Sequence, residues 1–300
     1  MAQVYGRFAN LATLRLDTLS RAIQQQGGSP YATDLYDRLL EHAVLATSQL
    51  QDNLGWELLP WSGVHYIECP EPRKILPLEA WLIAVEQVTS VYRRNVDEVT
   101  ETIMEDSLYY HDPTTSYVDW IGAVLKGRFN VTGLWGMMSP MVFDRSLIGT
   151  AVATVGETLA GATSVVLASE IRCRGGEVFW DATGKQVLIA NSNSGTTVQL
   201  DQWGTPETTI ATATDLTLCG KLDADVERMV LLGAYLDAWR AVTASPESGA
   251  LVGERADKHE YKLGTGGSSS SRPSPMSSYQ QEWAEKELMV KRVKAPMEWT

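Results

Sequence analysis

The chain has 300 residues, of which 44% are hydrophobic, so it can bury a substantial core as one large domain or as two small ones. Its formal net charge is −12; residues 264–300 hold five basic and four acidic side chains, which leaves 20 basic and 33 acidic side chains in residues 1–263. A body this acidic repels nucleic acid, which argues against a DNA- or RNA-binding module. No apolar run reaches the ~18 residues that a membrane-spanning helix needs.

The N-terminal segment, residues 1–60, is predicted to be a helical hairpin. Apolar residues recur at helical spacing between positions 8 and 23 and again between positions 35 and 54. The sequence Gly-Gly-Ser-Pro at 27–30 ends the first helix and supplies the N-cap and first-turn proline of the second. Since the connection is so short, we expect the two helices to pack against each other.

Residues 61–145 are predicted to be a first β-rich block. β-branched and aromatic residues between 118 and 134 are punctuated by glycines, and a short strand is expected around Val64 and Tyr66. The mixed apolar run at 81–94 fits a strand or a helix equally well, because periodicity alone does not separate the two for short runs.

Residues 146–220 are predicted to be a second β-rich block, and residues 221–246 a helix that packs on the body. Within the block, the sequence Asp-Ala-Thr-Gly at 181–184 is typical of a hairpin turn between two strands. The helix is expected to begin after Leu222 and to end at Ser245-Pro246.

The C-terminal part is predicted to be a linker, residues 247–275, followed by a docking arm, residues 276–300. Glycine, serine and proline dominate 264–275, a composition typical of a flexible tether. A capping-box pattern then precedes apolar residues at helical spacing, and we expect these to dock on another protein. The residues of this candidate docking site are Tyr279, Trp283, Val290, Val293 and Trp299. The alternatives are an arm folded back on its own body and a disordered tail.

Together these elements predict an α+β fold with an N-terminal helical hairpin, two β-rich blocks, a late helix and an extended C-terminal arm. Cys69, Cys173 and Cys219 lack the spacing of a zinc site or a disulfide framework, so we expect free, buried thiols. The ten tryptophans are scattered through apolar segments, which favours core or subunit-interface packing over a sugar-binding surface.

Nucleophile-elbow, phosphate-loop, dinucleotide-binding and zinc-protease motifs are all missing from the sequence. His111 and Asp112, with Asp119 nearby, are residue types that acid–base chemistry uses, but the adjoining Pro-Thr-Thr-Ser indicates a polar loop. The acidic run at 97–106 does not match a calcium loop and is typical of a solvated face. We therefore expect no catalytic, metal-binding or cofactor-binding residues, and no cofactor.

Two phrases resemble head-to-tail connector (adaptor) proteins of tailed bacteriophages. The sequence Leu-Gly-Trp-Glu-Leu-Leu-Pro at 54–60 is similar to the end of the second helix in podophage adaptors, and Asn-Val-Thr-Gly-Leu-Trp-Gly at 130–136 is similar to a strand of neck proteins. The element order agrees over about half of the chain, whereas the second β-rich block and the long tail are larger than in compact connectors.

The resemblance implies a structural virion protein without catalysis, made in the host cytoplasm and located in the neck. Its copies would form a ring, usually of twelve, that contacts the portal protein and the tail or next neck protein. Genome DNA would pass through this ring without specific binding, and no membrane would be involved. The alternatives are a tail-tube component, a decoration or carbohydrate-binding virion protein, and a hydrolase built around His111 and Asp112.

Overall fold

The computed structural model describes residues 4–8, 35–54, 57–78, 81–95, 98–112, 117–121, 125–244 and residue 284. Within these ranges the chain forms fourteen β-strands in three antiparallel sheets, two long helices and a short helical segment at residues 4–8. Strands dominate, and no helix of this part is long and apolar enough to cross a membrane.

The first sheet has four strands in the order β1-β7-β3-β4. They are β1 (Trp61–Arg73), β3 (Leu82–Asn95), β4 (Glu98–Ile103) and β7 (Leu125–Trp135). The ambiguous run at 81–94 is therefore a strand, because it pairs with β7 on one side and with β4 on the other. The inner face of the four-stranded sheet is buried, and its largest fully buried side chain is Trp135. The Trp135 indole N–H donates to the Gly63 carbonyl oxygen at 3.0 Å.

A small three-stranded sheet in the order β2-β6-β5 lies beside this core. Its strands are β2 (Ile75–Pro77), β5 (Tyr109–His111) and β6 (Tyr117–Trp120). Leu76, Val118 and Trp120 of this small sheet are buried in the same apolar cluster as Val88 and Phe129 of the four-stranded sheet. The two sheets thus enclose one core.

The largest sheet has the order β10-β13-β12-β11-β14-β8, with β9 paired to β14. Its strands are β8 (Met138–Ser139), β9 (Ala151–Ala153), β10 (Ser164–Val166), β11 (Glu177–Asp181), β12 (Gln186–Ser194), β13 (Thr197–Leu200) and β14 (Asp215–Leu222). The hairpin turn predicted at 181–184 is confirmed between β11 and β12. Asp181 Oδ1 accepts the backbone N–H groups of Thr183 and Gly184 at 2.8 and 3.0 Å, which closes that turn.

The expected α+β fold with an N-terminal helical hairpin is wrong. The apolar stripe of helix α1 (Leu35–Leu54) is buried, but it packs against helix α2 (Ala224–Ala244), almost 200 residues away in sequence. Apolar periodicity marks the face that a helix buries and does not specify its partner, which the sheets decide by bringing both helices together. Residues 9–34, which would have supplied the first helix of the hairpin, lie outside the described ranges.

The start of the late helix agrees with its prediction, and the structure describes this helix as far as Ala244. Asp223 caps α2, since its Oδ1 accepts the N–H groups of Asp225 and Val226 at 3.0 and 3.2 Å. Arg7, in the short N-terminal helical segment, is fixed to this region by contacts with Glu227 at 2.9 Å and Asp201 at 3.5 Å. The buried core therefore continues from the helices into the largest sheet.

Candidate functional site

The two ring nitrogens of His111 both lie near backbone carbonyl oxygens. Its Nε2 lies 2.8 Å from the Leu82 carbonyl oxygen and its Nδ1 lies 3.2 Å from the Tyr117 carbonyl oxygen. Burial lowers the pKa of His111, against the opposing effects of these carbonyls and of Asp112 and Asp119. Both ring nitrogens thus contact the backbone, an arrangement that locks β3 to the small sheet.

The acidic run at 97–106 is a solvated strand edge where the structure describes it. Glu101 and Glu105 are exposed, and Asp106 accepts the Tyr109 hydroxyl at 2.6 Å. Burial, assisted by that carboxylate, raises the pKa of Tyr109 to about 12. Across the described ranges, no group of three or more His, Cys, Asp or Glu side chains is placed to hold a metal ion.

The three cysteines are free, as predicted: Cys69 and Cys219 are buried and Cys173 is half-buried. Burial raises the pKa of all three thiols, that of Cys173 to about 12. A small cavity of about 10 Å³, the space of roughly one water molecule, lies between α1 and α2 and is lined mainly by apolar side chains.

Of the predicted docking arm, residues 276–300, the structure describes only Ala284. Nothing in the structure tests the assignment of Tyr279, Trp283, Val290, Val293 and Trp299, which stays a prediction. Among the tryptophans of the described body, Trp120, Trp135 and Trp180 are buried as expected for packing residues, whereas Trp61, Trp81 and Trp203 are half-buried.

Sequence reasoning did not identify the two free edges of the four-stranded sheet. Strand β1 pairs only with β7 in this sheet, and β4 pairs only with β3, among the strands that the structure describes. The three pairings are all antiparallel, so β1 and β4 run in opposite directions at opposite edges. A strand at an open sheet edge presents unpaired N–H and C=O groups that another strand can use.

The orientation of the β4 backbone can be assigned from one hydrogen bond. The Met104 N–H donates to the Val88 carbonyl oxygen at 2.9 Å, directly after the register pair Ile103 and Thr89. Hydrogen-bonded and non-bonded pairs alternate in an antiparallel ladder. Residues 100 and 102 therefore bond to β3, whereas residues 99, 101 and 103 direct their N–H and C=O groups at the open edge.

The outer face of the same sheet carries exposed apolar side chains among polar ones. One row crosses all four strands through register partners, and its two ends, Tyr66 and Ile103, are 51% and 65% exposed. Asn130 and Thr89 lie between them. Val64 and Val99 add exposed apolar area beside this row.

A second surface feature is formed by two segments that connect strands of the largest sheet, where two arginines share one aromatic ring. The Cζ atoms of Arg172 and Arg174 lie 5.3 and 4.8 Å from the centroid of the Phe143 ring. Phe143 is 43% exposed, and Met141, two residues earlier, is 70% exposed. The only signal for this arrangement in the sequence is Arg-Cys-Arg at 172–174, because its aromatic partner is about 30 residues away.

The backbone that carries these arginines is fixed by a buried carboxylate. Glu177 is fully buried, and its two oxygens accept the N–H groups of Arg174 and Gly175 at 2.9 and 2.8 Å. The Lys221 ammonium lies 3.1 Å from Glu177 Oε1 and donates to the Gly175 carbonyl oxygen at 2.8 Å. The 172–175 segment is therefore held in one conformation against β14.

No protein-family model matches the sequence, and a search of curated proteins gives no significant match. Among solved structures, the chain is similar to one from the neck of an empty GTA particle computed with C6 symmetry. The two share 17% identity with a TM-score of 0.28, over 36% of this chain and 58% of the neck chain. This likeness is too limited to establish a common fold.

Proposed function

We propose that this chain is a structural virion protein whose copies form a ring in the neck of a tailed phage, between the portal and the tail. One observation carries the proposal: among the strands that the structure describes, the four-stranded sheet has two open edges that run antiparallel to each other. A second copy in the same orientation would place its β1 beside β4 of the first copy. The two strands would be antiparallel, so the sheet would continue from one copy into the next. Repeating this heterologous contact generates a closed ring when the rotation between copies is suitable.

The charge of the body supports a channel role. Residues 1–263 carry 20 basic and 33 acidic side chains, so genome DNA passing through such a ring would meet few fixed cations. Repulsion of the phosphate backbone would keep the DNA mobile, whereas a basic lumen would release counterions and bind it. The full-length protein is therefore expected to leave DNA unshifted in an electrophoretic assay at low salt; salt-sensitive retention of DNA would contradict this role.

Ring formation through the β4 edge is tested by proline placed on either side of the ladder. Glu101→Pro removes an N–H that faces the open edge and should leave the free energy of unfolding within about 1 kcal/mol of the parent. It should abolish rings in mass photometry and negative-stain microscopy. Glu101→Gln, which removes the same charge and keeps the N–H, should still form them.

Thr102→Pro is the matched control on the opposite side of the strand. It removes an N–H that bonds to β3 and should destabilise the protein by about 2 kcal/mol or more. Rings that persist in Glu101→Pro would reject edge pairing. A wild-type chain that stays monomeric alone and with portal rings would reject the ring itself, and a copy number that rises with tail length would indicate a tail-tube role.

A further inference from the structure

We propose that the arginine–phenylalanine patch, formed by Met141, Phe143, Arg172 and Arg174, binds residues 279–288 of a neighbouring copy of this chain. This inference rests on the proposed function, because it needs copies that stand side by side. It assigns a receptor surface to the C-terminal segment, for which the sequence alone names no partner.

The patch brings two cations to one ring that is open to solvent. Both guanidinium groups lie within the range of a cation–π contact with Phe143, and the Arg172 side chain is 66% exposed. Two like charges held together repel each other, so an anionic group placed between them gains from both. Glu170 lies 3.7 Å from Arg172 Nε as an exposed pair, which offsets little of this charge.

The patch is also preorganised. Glu177 and Lys221 fix the backbone at residues 174 and 175, and Asn193 Oδ1 accepts the Cys173 N–H at 2.9 Å. The arginines are thus presented from a segment that does not have to be ordered when a ligand binds, which lowers the entropic cost of docking. Met141 adds an exposed apolar surface of the kind that accepts an aromatic side chain.

The segment 279–288 has the complementary composition. It contains three carboxylates, Glu282, Glu285 and Glu287, against one ammonium group, Lys286, and it carries the aromatic rings of Tyr279 and Trp283. Acidic side chains suit the guanidinium pair, and an aromatic ring suits the exposed surface of Phe143 and Met141.

A long intervening sequence separates this occupant from α2. Tyr279 follows Ala244, the last described residue of α2, by 35 residues, and a random coil of 35 residues would span roughly 30–35 Å. Ala284, inside the segment, is exposed in the isolated chain. The segment is therefore accessible at Ala284, and a connection of roughly 30–35 Å allows it to contact an adjacent subunit.

The test uses the full-length chain with a photoreactive benzoylphenylalanine at position 141. A mixture of isotopically heavy and light protein is cross-linked, digested and analysed by mass spectrometry. We expect the main product to join position 141 of one copy to a peptide from 279–288 of another. The yield of this cross-linked product should fall about tenfold when the patch is changed by Arg172→Glu with Arg174→Glu. The same loss is expected when the segment is changed by Glu282→Lys with Glu285→Lys. Combining all four changes should restore the yield, because the charges are then complementary again.

Lys126→Glu with Lys185→Glu is the matched control, since both lysines are exposed and the change in net charge equals that of the arginine pair. Cross-links that map elsewhere, that stay within one copy, or that survive both charge reversals would overturn the proposal. Mass photometry of the same samples separates the docking proposal from the ring proposal. If rings form but this cross-link is missing, the docking proposal alone is rejected. If copies are cross-linked but no rings form, the ring is rejected and the docking proposal stands.

Discussion

Replacement of Glu177 by alanine tests how the buried pair with Lys221 contributes to stability. The Glu177 side chain has no exposed area, and the change would leave the N–H groups of Arg174 and Gly175 without their acceptor. It would also leave Lys221, whose side chain is 22% exposed, without its counter-ion. Removing one partner of a buried pair costs about 3–5 kcal/mol, since an uncompensated charge and unsatisfied donors remain.

A loss of about 4 kcal/mol corresponds to a fall in Tm of roughly 8–16 °C for a domain of this size class. Chemical denaturation and differential scanning calorimetry measure both quantities. The matched control is Glu170→Ala, which removes an exposed carboxylate 3.7 Å from Arg172 and should cost less than about 1 kcal/mol.

A double replacement, Glu177→Leu with Lys221→Met, should cost less than the sum of the two single replacements, because no lone buried charge remains. The reasoning would be refuted if Glu177→Ala cost no more than Glu170→Ala. Hydrogen exchange adds a local readout, since the amides of residues 174 and 175 should lose protection in Glu177→Ala before the rest of the sheet does.

Two further predictions concern backbone space and pH. Gly204→Ala should destabilise the protein by several kcal/mol in urea denaturation, because its new Cβ would overlap the Ile189 backbone nitrogen. Gly156→Ala is the control: its φ is +81° and no atom lies within 4 Å of the new Cβ, so it should cost only about 1 kcal/mol. Equal costs for the two replacements would contradict this argument. Because burial lowers the pKa of His111 below its ordinary value of 6.5, its neutral form stabilises the fold above that pH and this contribution is lost as pH falls below it. Denaturation midpoints at pH 7.5 and 5.5 should therefore differ less in His111→Gln than in the parent; an unchanged difference would assign the pH dependence to other groups.

The sequence by itself determined features that depend on neighbouring residues. The hairpin turn at 181–184 follows from an aspartate that accepts the next backbone N–H groups, and the start of α2 follows from the Asp223 cap. Each of these interactions spans only a few residues, so the local pattern contains all of its participants.

Tertiary structure decided the pairing of elements that are distant in sequence. The run at 81–94 became a strand because β7 and β4 satisfy its backbone, and α1 met α2 instead of forming a hairpin because the sheets place those two apolar stripes together. The open edges of β1 and β4, and the arginines that share the Phe143 ring, depend on where whole strands lie relative to one another. Local periodicity specifies which side of an element is buried, whereas only the packed chain fixes which edges and side chains are left for a partner.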